Sequence, residues 1–402
     1  MFTTKGELTY CTNIHAGESW EEHFLALDKH FPVIKSQVSP FAPMGLGLRL
    51  SHIASMELVK KDNLLVFQDW LATNNAYVFT INGFPYGGFH NTAVKEKVHL
   101  PDWSTRERVD YTLRLFDILG ALLPEHLDGG VSTSPLSYRH WFTTSDELAA
   151  FKQVATDNIL LIAEQLISIH RTTGKLIHLD IEPEPDGVLE NGPEFIDWFL
   201  HDLLKAGIPL IATKCGVSET EAEDLIKTHI RLCYDVCHFA IGYESHATII
   251  HQLALHKIKI GKLQISAALK ANLPPGEKGR TSIKNAFGAF NESTYLHQVI
   301  GRLEDQTFLR YPDLPQALLD VQNQDVREWR AHFHVPIFEK DFGILQSTQA
   351  DISEVLKLQQ HAALTKHLEV ETYTWEVLGE EMKLPLQESI IRELQWVVKE
   401  LG

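Results

Sequence analysis

Short apolar runs alternate with longer amphipathic stretches along almost the whole chain, and the period of each run predicts its structure. Residues 8–15 read as a first strand with Asn13 and His15 at its exit. Trp20, Phe24, Leu27 and Phe31 then recur at helical spacing within residues 17–31. Strands follow at 45–50 and 76–82, on either side of a helix over 56–71. The loop 83–90 sets aromatic residues among glycines, which suits either closure over a ligand or a cap on the fold. A capping box, Ser104-Thr-Arg-Glu107, opens a helix to Leu123, and a weak strand covers 129–135. A long helix over 145–172 leads into the apolar run of residues 176–185, Leu-Ile-His-Leu-Asp-Ile-Glu-Pro-Glu-Pro, whose prolines stop it abruptly.

A helix over 193–205 comes next, and residues 208–214 are ambiguous between strand and loop. A second capping box, Ser218-Glu-Thr-Glu221, opens a helix before a strand at 230–235. Two stretches compete for a seventh strand, 261–266 and 331–337, and a long segment separates them. The chain ends in a helix over 351–366, a strand over 368–374 and a helix over 386–401. Such alternation argues for a parallel α/β architecture. About eight units without a glycine-rich dinucleotide fingerprint favour a (β/α)8 TIM barrel, read here as one domain over residues 1–402. A minimal barrel takes ~250 residues. The excess is assigned to an insertion near strand seven, at about 268–329, expected to cover the barrel mouth.

Composition narrows the function. A formal charge of −17 over 402 residues argues against nucleic acid or an anionic membrane as the partner, because phosphates would be repelled. No apolar run reaches the ~18 residues of a membrane span, and the N-terminus has no apolar core of a signal peptide. The four cysteines, Cys11, Cys215, Cys233 and Cys237, show no CxxC spacing, which suggests a reducing compartment. A cytoplasmic protein is expected. A homodimer through the outer helices is compatible with this pattern and has no specific feature behind it.

The chemistry gathers at strand ends. Asp180, Glu182 and Glu184 lie at the exit of the strand near 176–182, Asp235 and His238 at that of 230–235, and Glu371 near that of the last strand. In parallel barrels these ends form the functional face. With a neutral fourth ligand, Glu182, Asp235 and Glu371 would make a three-carboxylate site for a hard divalent cation such as Mn2+ or Mg2+, whereas zinc prefers more nitrogen or sulfur. The bland alternative is that these acids pair with Arg49, Arg231 or Lys214 across the mouth. His332 and His334 alternate along one candidate strand, so they point to one side, lumen or outer face. Lys278 and Arg280, in a Pro-Pro-Gly-Glu-Lys-Gly-Arg stretch, would suit a solvated loop or an anion-binding one.

From about residue 170 onward the chain resembles the xylose isomerase-like barrels of sugar isomerases and epimerases. The resemblance implies that Glu182 is a metal glutamate of strand five and Glu371 one of strand eight. Asp235-Val-Cys-His238 is similar to the strand-six Asp-x-x-His, whose Asp binds metal and whose His contacts substrate. Ala331-His-Phe-His334 resembles the strand-seven motif of ketose epimerases, which makes His334 the fourth ligand. Gln264 is the rival, since hydroxypyruvate isomerase-like members use a glutamine there. The family implies a divalent ion (Mn2+ or Mg2+, with Zn2+ as an alternative), a small polar substrate, and Glu182, Glu371 and His238 as catalytic groups. Over its full length the pattern also resembles the barrel family of the bacterial ebo cluster. Three functions follow: a metal-dependent isomerase or epimerase, a metabolite-binding barrel without turnover, and an endonuclease IV-like phosphodiesterase. The acidic charge makes the last the poorest fit.

Overall fold

The computed structural model describes residues 1–88, 95–292, 294–373 and 385–402. Eight parallel strands form the barrel: Gly6–Tyr10, Met44–Arg49, Ala76–Asn82, Gly129–Thr133, Ile177–Ile181, Ile230–Asp235, Ile260–Ile265 and His367–Val370. Each pairs with its sequence neighbour from strand two to strand six, strand six pairs with seven, seven with eight, and eight returns to strand one. A bridge between Cys11 and Gly47 and two hydrogen bonds through Thr9 Oγ1 link strand one to strand two. Met44, Leu46 and Leu48 of strand two, like Ile177, Leu179 and Ile181 of strand five, are fully buried in the hydrophobic core. The alternate positions point into the lumen, which holds an unusually polar layer: Lys262 Nζ meets Glu369 Oε2 at 2.6 Å, both fully buried. Space for this layer exists because Gly47 and Gly261 carry no side chain. A Cβ at Gly47 would lie 2.0 Å from Glu369 Oε1, and one at Gly261 1.8 Å from Asp180 Oδ1.

Helix starts follow the capping chemistry. Trp20–Val38 and Ser145–Thr173 both open on complete capping boxes, from Ser19 with Glu22 and from Thr144 with Glu147. The predicted box at Ser104 is displaced by one residue. Thr105 caps Arg106–Leu122 through the Arg108 amide, while Asp102 Oδ1 takes the amide and hydroxyl of Ser104. Ser218 caps Glu219–His229 through the Glu221 amide, which is one half of the predicted box. Residues 208–214 are neither strand nor loop. They belong to the helix Lys205–Cys215, which continues without a break from Gly192–Trp198 and the π turn Phe199–Leu204. Pro209 made a helix look unfavourable, yet it follows a turn in which the i→i−4 ladder is already interrupted.

Between barrel strands seven and eight the chain builds a separate six-stranded antiparallel sheet. Its order is Phe308–Tyr311, Val299–Leu303, Val326–Ala331, Leu269–Asn272, Leu345–Ser347 and Asp341–Phe342. This excursion runs past residue 329, where the sequence pattern placed its end, to Ser347. Of the two candidates for strand seven, Ile260–Ile265 is the barrel strand. Ala331 ends a strand of the second sheet, and residues 332–337 carry no regular structure. Arg280 is no anion ligand. It is buried on the helix Glu277–Gly288 and donates to the carbonyls of Pro274, Val321, Asn323 and Val326, pinning the excursion together. No helix among the described residues is long and apolar enough to cross a membrane.

Candidate metal centre

Three strand ends deliver three carboxylates. Glu182 is the residue after Ile177–Ile181, Asp235 the last of Ile230–Asp235, and Glu371 the residue after His367–Val370. All three are buried, and each offers an oxygen within 4.8 Å of the other two. Asp235 also caps the short helix Val236–Ile241. Its Oδ1 accepts from the His238 amide at 3.2 Å and from Ser266 Oγ at 2.6 Å. Glu371 is held by three amides: Asn13 Nδ2 (2.8 Å) and Asn82 Nδ2 (2.9 Å) donate to Oε1, and Gln264 Nε2 (2.8 Å) donates to Oε2. By contrast, Glu182 Oε2 and Asp235 Oδ2 are buried without a hydrogen-bond partner.

The rival fourth ligands occupy different places. Gln264 sits behind Glu371, with its carbonyl oxygen accepting from Cys233 Sγ at 2.8 Å. His334 arrives from the irregular segment that follows Val326–Ala331 within the second-sheet excursion. Its Nδ1 donates to the Glu371 carbonyl at 3.1 Å, so Nε2 is the nitrogen turned toward the carboxylates, 3.9 Å from Asp235 Oδ2. Tyr373 stacks on the ring at 4.6 Å. His238 and His332 stand beside this group with their Nε2 atoms 3.1 Å apart. His238 Nδ1 donates to the Pro183 carbonyl and His332 Nδ1 to Gln298 Oε1. Glu184 lies 4.0 Å from His238 Nε2 and takes His99 Nε2 at 3.1 Å.

The ion-pair alternative fails on geometry. Arg49 pairs with Glu18, Arg231 with Asp128 at the far end of the barrel, and Lys214 with Glu164 outside it. Among the described residues no lysine or arginine pairs with Glu182, Asp235 or Glu371, and the nearby Lys262 is bound to Glu369. Burial therefore pushes Glu182 and Glu371 well above the usual carboxylate range, and the neighbouring acids push them further. Burial does the same to Glu184, seconded by Asp235. Burial also opposes ionisation of Asp235, but His238, His334 and the Ser266 hydrogen bond outweigh it and hold this acid below its ordinary value. Burial lowers His334 to about 4 and also lowers His238, so both imidazoles are neutral at physiological pH and available as ligands. A buried array of acids without a cation is costly, and a divalent ion offsets that cost. The oxygen-rich donor set with one nitrogen fits Mn2+ or Mg2+ and accommodates Zn2+.

The group opens on a pocket of about 620 Å3. Asn13, Asn82, Glu182, Glu184 and Glu371 line its floor, and Tyr295, Leu296 and Gln298 of the excursion form part of its wall. Phe84 and Pro85 of the aromatic loop also line it, whereas Tyr86 stacks on His52. Phe89 and His90 of that loop, and Thr374 of the last predicted strand, lie outside the described residues. Sequence reasoning gave no role to Asn82, His99 or Gln298. Asn82 ends strand three and was detectable by the strand-exit rule applied to the acids. His99 lies in the 3-10 turn Lys95–His99, and Gln298 precedes a strand of the second sheet; neither position has a periodic signal.

No protein-family model matches the sequence, and no curated protein is found to be similar to it. Among solved structures the protein is similar to IolI with a bound zinc atom, at 12% identity over 98% of each chain and a TM-score of 0.46. It is also similar to the probable 3-DHS dehydratase AsbF from Bacillus anthracis, at 9% identity over 97% of each chain and a TM-score of 0.44. A xylose isomerase-like TIM barrel protein from Mycobacterium smegmatis, in complex with magnesium, matches over 100% of both chains at 9% identity and a TM-score of 0.50. At that identity the likeness is one of fold: the chain is built as a TIM barrel.

Proposed function

We propose that the protein is a divalent-metal-dependent isomerase or epimerase acting on a small hydroxycarbonyl metabolite, a single domain whose second sheet walls the active site. One observation carries this reading: three buried carboxylates from strands five, six and eight, unpaired with any described lysine or arginine, converge within 4.8 Å, and Glu182 and Glu371 line a pocket with neutral imidazoles. Glu182, Asp235, His334 and Glu371 are the ligands, and Gln264 acts through Glu371 by fixing its Oε2. The ion, when bound, acidifies the proton next to a chelated carbonyl and stabilises negative charge on the substrate oxygens. Glu182, whose Oε2 has no partner, is the group placed to take that proton. Glu371, tied through both oxygens, is suited to return a proton on the other face or to serve as ligand alone. His238 presents Nε2 to the pocket for a substrate hydroxyl.

A second reading, a barrel that holds a metabolite without turnover, draws on the immobility of Glu371. It also draws on the resemblance of Lys262-Leu-Gln-Ile-Ser-Ala-Ala268 and residues 367–375 to the metabolite traffic protein EboE. A phosphodiesterase acting on nucleic acid fits poorly with a charge of −17 and an acid-lined pocket. Four free cysteines, three of them buried, suit a reducing cytoplasm. The test is elemental analysis with metal titration, followed by a screen of sugars and 2-oxo acids for exchange of the α-proton with solvent deuterium. Exchange that requires the ion and is lost in Glu182→Gln supports the isomerase. Tight ligand binding without exchange supports the binding protein, and a chain that takes up no ion at the mouth rejects the isomerase and leaves the binding barrel, with its carboxylates as hydrogen-bonding groups.

A further inference from the structure

We propose a second metal site at the opposite, N-terminal end of the barrel, formed by Asp128, His178 and His367 and suited to a structural zinc ion. Asp128 directly precedes strand four, His178 is the second residue of strand five, and His367 opens strand eight. Strand eight is three places from strand five in the sheet order, so the two imidazoles meet across the lumen, with ring centroids 5.2 Å apart. One donor atom from each of the three residues lies within 4.8 Å of the others.

Hydrogen bonding at this end leaves a cation-shaped gap. His178 Nδ1 donates to Asp180 Oδ1 at 2.6 Å, so Nε2 carries the lone pair. The side chain is fully buried, Nε2 has no hydrogen-bond partner, and it faces Asp128 Oδ2 at 3.8 Å. Asp128 Oδ1 is likewise buried without a hydrogen bond, 3.4 Å from His367 Nε2. Two ligands of a tetrahedral zinc ion lie about 3.4 Å apart, given metal–ligand distances of about 2.0–2.1 Å. The spacing of Asp128 Oδ1 and His367 Nε2 already matches, and the third donor lies within 4.8 Å of them.

A purely hydrogen-bonded plug accounts for less. Arg231 Nη1 holds Asp128 Oδ2 at 3.1 Å, and His367 Nε2 reaches the Asp128 carbonyl at 3.1 Å. These contacts leave His178 Nε2 and Asp128 Oδ1 buried without a hydrogen bond, at a cost that a protein ordinarily avoids. With an ion present, His367 Nε2 exchanges the Asp128 carbonyl for the metal, and the other contacts become its supporting shell. Asp180 orients His178 as a carboxylate behind a histidine ligand, and Arg231 steers the far oxygen of Asp128. Two imidazoles and one carboxylate select zinc over Mg2+ or Mn2+. The bound ion would tie strand eight to strands four and five, at the end of the barrel where residues serve stability rather than chemistry.

The test uses the full chain, stripped of metal by a chelator and titrated with Zn2+ and with Co2+ as a visible probe. Wild type is expected to bind two ions. Asp235→Asn is expected to keep one, with the absorption of tetrahedral cobalt and a zinc-dependent rise in melting temperature. His367→Asn is expected to lose that ion and that rise, and Asp180→Asn to bind it ~10–100-fold more weakly. If the mouth holds no metal, wild type binds one ion and His367→Asn none, which rejects the proposed function and leaves this site standing. An Asp235→Asn protein that binds no ion overturns the site, as does a His367→Asn protein with undiminished uptake. Should His367→Asn fail to fold, as judged by circular dichroism, His178→Gln answers the same question.

Discussion

Glu182→Gln should stabilise the metal-free protein while abolishing its metal binding at the mouth, a reversal of the usual effect of altering a buried residue. The carboxylate is 3% exposed, its Oε2 has no hydrogen-bond partner, and it shares a space no wider than 4.8 Å with Asp235 and Glu371. At that separation and an effective dielectric of about 20, two unit charges repel by about 3.5 kcal/mol. The protein escapes part of this repulsion by keeping a proton on Glu182, whose pKa burial and Asp235 raise well above the ordinary 4.5. A group with a raised folded-state pKa weakens the fold as pH climbs from the unfolded value through the folded one. The variant's advantage should therefore be absent below pH 4.5 and grow above it, to roughly 1–3 kcal/mol once the buried amide's own unmet hydrogen bonds are counted. Saturating metal should reverse the order, because an ion at about 1,000 times its dissociation constant stabilises wild type by about 4.1 kcal/mol and the variant not at all. Urea unfolding with chelator and with Mn2+, at mildly acidic and mildly alkaline pH, reads both signs. A Glu182→Gln protein less stable than wild type in chelator at alkaline pH would refute the argument, since the carboxylate would then have a partner worth more than the repulsion it suffers.

Asp235→Asn and Glu371→Gln should each remove the mouth-bound ion and leave a folded barrel; metal content equal to wild type would sink the ligand assignment. Asn13→Ala and Asn82→Ala each delete an amide that donates to Glu371 Oε1, and calorimetric titration should show metal affinity falling by ~10–100-fold in each. Lys262→Met strands the fully buried Glu369 carboxylate and should cost about 3–5 kcal/mol in urea unfolding, whereas Lys262→Met with Glu369→Leu should recover most of it. A double variant no more stable than the single one would mean that the pair, rather than its charge balance, holds the lumen. Arg280→Met should loosen the excursion, seen as faster amide exchange around Val321 and Val326, because four carbonyl contacts lose their donor.

What the sequence reveals here depends on whether a feature is periodic. Barrel strands show as apolar runs because they are buried on both faces, and strands three and six coincide with their predicted limits, Ala76–Asn82 and Ile230–Asp235. The helix Lys205–Cys215 was obscured because Pro209 and a stretch of isoleucine and leucine mimic a broken strand. The second sheet was obscured for a different reason: its strands are short, mixed in polarity and paired across long separations, as Leu269 is with Ala331, and no local window contains such a pairing. The lumen layer was hidden too, since a buried lysine is read as a surface residue unless the glutamate of the next strand is known to lie 2.6 Å away.

The uncertain fourth ligand shows how that limit reaches the chemistry. In a plain barrel, strand seven ends beside strands six and eight, and its last residues must supply the remaining donor. Here Gln264 does reach that position, in register with Asp235 on one side and Glu369 on the other. Its amide, however, is spent between Cys233 and Glu371. The chain then leaves the barrel for the second sheet and returns over the mouth at residues 332–334, where His334 presents Nε2 to Asp235. The role that one strand end fills in a plain barrel is thus divided between two segments 70 residues apart in number, one positioning Glu371 and the other meeting the carboxylates. It follows that the second sheet does more than cover the pocket. Without it His334, His332 and Gln298 have no scaffold, so a chain cut back to the barrel would retain three carboxylates and lose the imidazole proposed as their fourth ligand. Such a truncation should bind Mn2+ more weakly than the full chain even if it folds.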